Sequence, residues 1–252
     1  MSRRLVSRIL DLIFPPLCPI CGESSGTDGC LCENCLSKYA NEQKELCPVC
    51  RKTAGECTCG IAGVSRTFLG GRRIVSLAFY HPRANGGERI TERLIRKFKK
   101  RYDRSLTDMF AREISGKLLT LMKSSEEAPS EWAVTFPPRS TENKRKYGFD
   151  QGEAAAGSIS RYTGIPLIKT LKRAGGDEQK ELGRKGREMN SWSLKLARRA
   201  DVRGRKIILF DDIITTGATV RAASDLLVGA GAECVFPVCI ARVRKETGIK
   251  EK

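Results

Sequence analysis

One stretch restricts the fold of this chain more than any other: Ile207-Ile208-Leu209-Phe210-Asp211-Asp212-Ile213-Ile214-Thr215-Thr216-Gly217-Ala218-Thr219. Four consecutive large apolar residues, 207–210, suit a parallel strand covered on both faces. From 220 to 230, apolar residues recur at Ala222, Ala223, Leu226, Leu227 and Ala230, a helical period, and Gly231 follows as a C-terminal cap. Strand, short loop and helix in that order predict an open α/β sheet. They place the acidic pair and the loop beyond the carboxyl end of the strand, where such sheets bind ligands.

The residue types there match a sugar phosphate. Gly217 lets the backbone approach closely, and successive N–H groups at a helix start cradle an anion. Thr215, Thr216 and Thr219 add hydroxyl donors. Asp211 and Asp212 would repel a phosphate; adjacent carboxylates instead accept the two O–H groups of a diol or hold a hydrated Mg²⁺. A diol beside a phosphate implies ribose 5-phosphate. The plainer alternative is a surface loop whose Asp or Thr caps a helix. The run resembles the signature by which type I phosphoribosyltransferases bind 5-phosphoribosyl 1-pyrophosphate (PRPP). That resemblance implies that Asp211 and Asp212 contact the ribose hydroxyls and carry the catalytic role. It also implies that Thr215, Thr216, Gly217, Ala218 and Thr219 wrap the 5-phosphate, and that Mg²⁺ accompanies PRPP.

Nine of the eleven cysteines lie between Cys18 and Cys59. They form Cys18-x-x-Cys21, Cys32-x-x-Cys35, Cys47-x-x-Cys50 and Cys57-x-Cys59, with Cys30 left over. Two intervening residues let both thiolates face one tetrahedral ion, so four pairs read as two Cys₄ zinc sites, a double zinc ribbon. The segment has too few bulky apolar residues for a core of its own, and metal would supply the missing free energy. The alternative is a disulfide framework, for which the odd count and the lack of a secretory signal are unfavourable. Cys30 is a possible substitute for a neighbouring ligand. Cys234 and Cys239 fall in a strand-like run and read as core.

The chain's 252 residues carry a formal charge of +17, spread over its length. That favours anionic partners: nucleic acid, phosphorylated metabolites or anionic membrane surfaces. No segment approaches the ~20 apolar residues needed to span a bilayer. Residues 1–16 space Leu5, Ile9, Leu12 and Ile13 as on a helix face, a short helix packed on its own protein. Composition changes near 60–71, which sets two domains: 1–62, an N-terminal helix and the cysteine-rich ribbons, and 63–252, one α/β domain.

Within the body, Ser105 with Asp108 predicts a capping-box helix start, continued by Leu106, Met109, Phe110, Ile114, Leu118, Leu119 and Met122. Residues 132–136 read as a strand, 153–162 as a helix ending near Gly164, and 165–167 as a short strand. Loops 139–151, with Arg139, Lys144, Arg145 and Lys146, and 175–191, with Lys180, Arg184, Lys185 and Arg187, are candidates to close over a ligand. Arg139 is a candidate for the pyrophosphate of PRPP. Arg93, Arg96, Lys97, Lys99, Lys100 and Arg101 form a basic stripe opposite Ile90, Leu94, Ile95 and Phe98. The stripe is either a phosphodiester-binding face or a solvated helix surface. Trp132, Phe149 and Trp192 are candidates to stack bases. His81 has no nucleophile to serve.

The order of features resembles the ComF family. Leu12-Ile13-Phe14-Pro15-Pro16 leads into the first cysteine pair; Leu94-Ile95-Arg96-Lys97-Phe98-Lys99 follows the knuckles. Tyr147-Gly148-Phe149-Asp150-Gln151 comes next, then Gln179, Leu182, Arg187 and Asn190, then the PRPP loop. The resemblance implies a zinc-binding head joined to a type I phosphoribosyltransferase-like parallel sheet flanked by helices. It further implies a cytoplasmic role in DNA uptake and natural transformation, with single-stranded DNA and uptake proteins such as a helicase as partners. Lys99 stands where the family keeps a lysine, which makes it a candidate catalytic residue. The family's usual Arg-Gly-Phe-Asn-Gln has Tyr147 and Asp150 here in place of Arg and Asn. Other functions in view are an active phosphoribosyltransferase of nucleotide metabolism or salvage and a non-catalytic sensor.

Overall fold

The computed structural model describes residues 16–25, 29–57, 59, 74–81, 89–123, 128–173, 194–198 and 201–243. The N-terminal helix, the boundary near 60–71, the loop 175–191 and Trp192 lie outside the described residues. Six strands and six α-helices are described: α1 (Glu33–Gln43), β1 (Val75–Tyr80), α2 (Ile90–Lys100), α3 (Arg104–Lys123), β2 (Trp132–Thr135), α4 (Thr141–Tyr147), α5 (Gln151–Thr163), β3 (Leu171–Arg173), β4 (Leu194–Leu196), β5 (Lys206–Ile214), α6 (Ala218–Gly229) and β6 (Cys234–Val243).

The main sheet is parallel, in the order β1-β6-β5-β2. A parallel bridge from Val134 to Leu167 extends it past β2, which is where 165–167 reads as a strand. Along β5 the side chains alternate between two cores. Ile208 and Phe210 join one with Phe110, Ile114 and Ile159 of α3 and α5; Ile207 and Leu209 join the other with Val220, Ala223 and Leu227 of α6. Burial on both faces is what a continuous apolar strand demands. β3 and β4 form a separate antiparallel pair on the α6 side.

Three local expectations are corrected. β5 does not stop at Phe210: its pairing with β6 runs on through Asp211↔Cys239 to Ile214↔Arg242. The acidic pair therefore sits within the ladder, held by backbone hydrogen bonds, and only the threonine loop lies beyond it. α3 begins at Arg104, and its first-turn acceptor is Asp103 Oδ1, which takes the Leu106 N–H at 3.0 Å. Ser105 is not the cap, and Asp108 instead accepts from Ser158 Oγ at 2.9 Å on α5. Residues 141–147 are a short helix with Ser140 as cap, its hydroxyl accepting the Asn143 N–H, so 139–151 is an ordered element rather than a loop.

The two ribbons repeat one turn. The Cys18 N–H donates to Glu23 O and the Gly22 N–H to Cys18 O; the Cys47 N–H donates to Lys52 O and the Arg51 N–H to Cys47 O. Both turns need positive φ at their fourth residue after the cysteine, +80° at Gly22 and +56° at Arg51. The first ribbon shares the sheet's main core: Cys18, Ile20, Leu31 and Tyr39 are buried with Leu94, Phe98 and Phe110. The second packs Cys47, Ala54 and Cys57 on Phe79 of β1.

Candidate functional site

A cleft of about 910 Å³ opens at the carboxyl end of the sheet. Its floor is Asp211, Asp212 and Ile213 from β5. Its walls are Tyr80, Glu92, Ile95, Arg96, Lys99 and Lys100 from β1 and α2, facing Pro137, Pro138, Arg139, Asn143, Tyr147 and Gln151; Arg173 of β3 also lines it. A second hollow of about 250 Å³ adjoins it, lined by Asp211 and residues 213–220. The two share Asp211, Ile213 and Thr219.

Asp212 is the most constrained side chain of the floor. Its Oδ1 lies 3.2 Å from Lys99 Nζ and accepts the Ile213 N–H at 2.7 Å, while Oδ2 accepts from Gln151 Nε2 at 3.2 Å. Asp211 Oδ1 accepts the Asp212 N–H at 2.9 Å. Burial, and then the neighbouring Asp212 charge, push Asp211 up from 3.8 to about 7, against the pull of Lys99 and Arg173. This carboxyl is ready to ionise fully when a cation or a diol enters.

The smaller hollow has the backbone features of an anion cradle. Gly217 is the N-cap of α6 at φ +75°, a conformation that any residue with a Cβ would adopt under strain. Thr215 and Thr216 are exposed with Gly217 buried beneath them. The first N–H groups of a 12-residue helix have no partner within it and carry the positive end of its dipole. Cradle, acidic floor and cationic wall follow one another along the two hollows.

Arg139 lines the cleft, but its guanidinium is already engaged. Nη2 donates to Lys99 O at 2.6 Å, and the group lies over the rings of Tyr147 at 4.5 Å and Phe149 at 5.4 Å. It ties the end of α2 to the opposite wall. Asp150, at the acidic position of the altered motif, has its carboxylate consumed: it caps α5 through Gly152 and Glu153, accepts the Arg139 N–H at 2.9 Å and lies 3.0 Å from Lys144 Nζ. Gln151 and Arg173 are the residues that sequence reasoning left without a role. Gln151 had a signal, as the last residue of a recognisable motif. Arg173 had none, because a three-residue strand carries no period; burial lowers its pKa, and its Nε donates to Pro138 O at 2.9 Å.

The basic stripe divides. Arg96, Lys99 and Lys100 line the cleft; Lys97 and Arg101 are exposed; Arg93 donates to the carbonyl of Ile20 in the head. Trp132 is only 2% exposed and is removed from the base-stacking candidates, whereas Phe149 is half-buried beside an exposed Tyr102, rings 5.9 Å apart. His81 Nε2 lies 3.0 Å from Glu45 Oε2, away from the acidic pair's partners.

The cysteines gather into two sets, Cys18, Cys21, Cys32, Cys35 and Cys47, Cys50, Cys57, Cys59, with sulfur atoms in each set within 4.8 Å of one another. Among the described residues Cys30 belongs to neither set. Four thiols converging without disulfides is the donor set of structural zinc. No helix among the described residues is long and apolar enough to cross a membrane.

Comparison with known proteins finds likenesses in the cysteine-rich head and in the C-terminal part of the body. A phosphoribosyl transferase domain model matches residues 142–252, and a double zinc ribbon domain model matches 9–62. The chain is 27% identical to competence protein ComFC of Bacillus subtilis over 203 residues, 80% of this chain and 79% of that one. It is 23% identical to ComFC of Streptococcus pneumoniae over 245 residues, 89% and 99% of the two chains. An orotate phosphoribosyltransferase of Nocardioides is 39% identical over 88 residues, 35% of this chain and 41% of that enzyme, so the chain spans under half the length of that relative.

Proposed function

We propose that the chain is a ComF-family protein of DNA uptake that binds PRPP with Mg²⁺ in the β5 cleft and single-stranded DNA along the exposed cations of α2. The observation that carries this is the continuity of the phosphate cradle, the Asp211–Asp212 floor and the Lys99 wall in one cleft. Asp211 and Asp212 would hold the ribose hydroxyls or the hydrated Mg²⁺ that neutralises the pyrophosphate. Lys99 shields Asp212 in the free protein and stands at the place where the pyrophosphate charge would lie. Competence in the names of the two ComFC relatives supports the biological setting.

Catalysis of phosphoribosyl transfer is a second reading, favoured by the local likeness to an orotate phosphoribosyltransferase. In that case the protein positions and neutralises, and no covalent nucleophile is needed.

Calorimetry with Mg²⁺-PRPP tests the main reading. Binding to the wild type is expected, weakened in Asp212→Asn and, by about 1–3 kcal/mol, in Thr216→Val. Wild-type affinity in both variants refutes the assignment. A separate titration with a short oligonucleotide should show affinity that falls steeply with salt. Lys97→Glu with Lys100→Glu should abolish it at moderate salt; an unchanged oligonucleotide affinity leaves α2 as a solvated face.

A further inference from the structure

Two arginines of the sheet-bearing body reach into the backbone of the cysteine turns. Arg242, near the end of β6, is 2% exposed and sits in register between Phe79 of β1 and Ile214 of β5. Its Nη1 donates to the carbonyl of Cys57 at 3.0 Å, and its Nη2 donates to the carbonyl of Cys59. Among the described residues no carboxylate pairs with it, and its Nε has no hydrogen-bond partner. Arg93, half-buried on α2, donates from Nη2 to the carbonyl of Ile20 at 2.9 Å, inside the Cys18–Cys21 turn.

A buried guanidinium without a counter-charge is costly, by several kcal/mol for an ion taken out of water. The balance closes once the metal is counted. Cysteine ligates zinc as the thiolate, so Zn²⁺ with four thiolates carries two net negative charges. The second centre packs tightly on the body: a Cβ on Gly55 would lie 3.1 Å from Ser76 O of β1. A dianion held that close to β1 and β6 supplies a charge that no described carboxylate gives Arg242, and Arg242 supplies part of the cation that the dianion needs.

We propose that Arg242 and Arg93 are the counter-ions of the two zinc centres, Arg242 for the Cys47/Cys50/Cys57/Cys59 set and Arg93 for the Cys18/Cys21/Cys32/Cys35 set. Each acts as a positioning residue: it fixes the ligand turn through its carbonyls and offsets the charge of the filled site. The zinc sites are thus completed by the domain they precede. The proposal stands on zinc in both sets and is independent of whether PRPP binds.

The full-length, zinc-loaded chain is challenged with a chelator, and cysteine alkylation followed by peptide mass mapping reads which set loses metal first. In Arg242→Met the Cys47/Cys50/Cys57/Cys59 set should release zinc about 10–100-fold faster, the usual effect of losing an outer-sphere partner. The other set should keep its wild-type rate. Arg93→Met should give the mirror image, smaller because Arg93 is half-exposed. Arg242→Lys, which keeps the charge, should recover part of the loss. Equal acceleration of both sets, wild-type release from both, a lysine variant no better than methionine, or a wild type without zinc in both sets would each overturn the proposal. Should Arg242→Met fail to fold, Arg242→Lys and Arg93→Met carry the same test at milder cost.

Discussion

Replacing Asp211 by Asn should stabilise the ligand-free protein, and more so as pH rises. The side chain keeps its shape and its acceptor oxygen for the Asp212 N–H. What it loses is a carboxyl whose pKa is raised from 3.8 to about 7 by burial and by Asp212. The sign follows from proton linkage: a raised folded-state pKa means that the native state binds the proton more tightly than the unfolded chain. The contribution to stability is complete below about pH 4 and is lost as pH rises through about 7. Between pH 5 and pH 8 the unfolded carboxyl is already ionised while the folded one loses its proton. Two pH units at about 1.4 kcal/mol each give a loss of about 2–3 kcal/mol in the wild type and none in Asp211→Asn. Urea unfolding of both proteins, zinc-saturated and without PRPP, at half-unit steps across this range measures the difference directly. Any zinc or histidine contribution is common to both and cancels. At the 2–4 °C per kcal/mol usual for chains of this size, Tm values should diverge by about 4–12 °C at the alkaline end. A stability difference that stays flat with pH, or that favours the wild type as pH rises, refutes the account of Asp211. The same variant should bind Mg²⁺-PRPP less well.

Glu42 of α1 accepts the Ile90 and Thr91 N–H groups of α2, both at 2.9 Å; Glu42→Gln should cost about 1 kcal/mol, seen as faster amide exchange in the first turn of α2. Because Arg96, Lys99 and Lys100 line the cleft proposed for PRPP, saturating PRPP should weaken oligonucleotide binding, and equal oligonucleotide affinity with and without PRPP would separate the two sites. Lys99→Glu alone should damage both activities, whereas Lys97→Glu should spare PRPP. Gly217→Val should abolish PRPP binding with a smaller loss of fold stability, since the valine must adopt φ +75° at the cradle.

The strand, loop and helix around Asp211 and Asp212 were legible because the signals are local: an apolar run, a glycine at the helix start, a helical period. The two cysteine sets were legible because ligand spacing is local as well. What sequence could not reveal was how long β5 runs, since that is decided by its partner β6 across the ladder. Nor could it show that Arg139 is spent on Lys99 O, or that Asp150 is spent on capping α5. A charged residue in sequence has no orientation, and the basic stripe shows the consequence. Six cations that read as one face are divided between the head, the cleft and solvent by how α2 is laid down. Asp103 displaced Ser105 as the cap of α3 because a carboxylate in the preceding turn was better placed.

The seating of α2 bears on how such a protein is taken apart. This helix has eleven residues, about 16 Å of length, fewer than an isolated helix needs to hold its shape in water. Its first turn hangs from Glu42, and the Lys99 carbonyl in its last turn is held by Arg139, so one end is borrowed from the head and the other from the far wall of the cleft. Its apolar side is covered in part by Tyr39 and Ile20. A chain trimmed to its sheet would not be a smaller version of the same binding protein. It would be one whose cationic wall has lost the Glu42 end of its anchorage. Head and body are therefore poor candidates for exchange between relatives as separate cassettes; a transplanted head would have to bring its own glutamate to the right place.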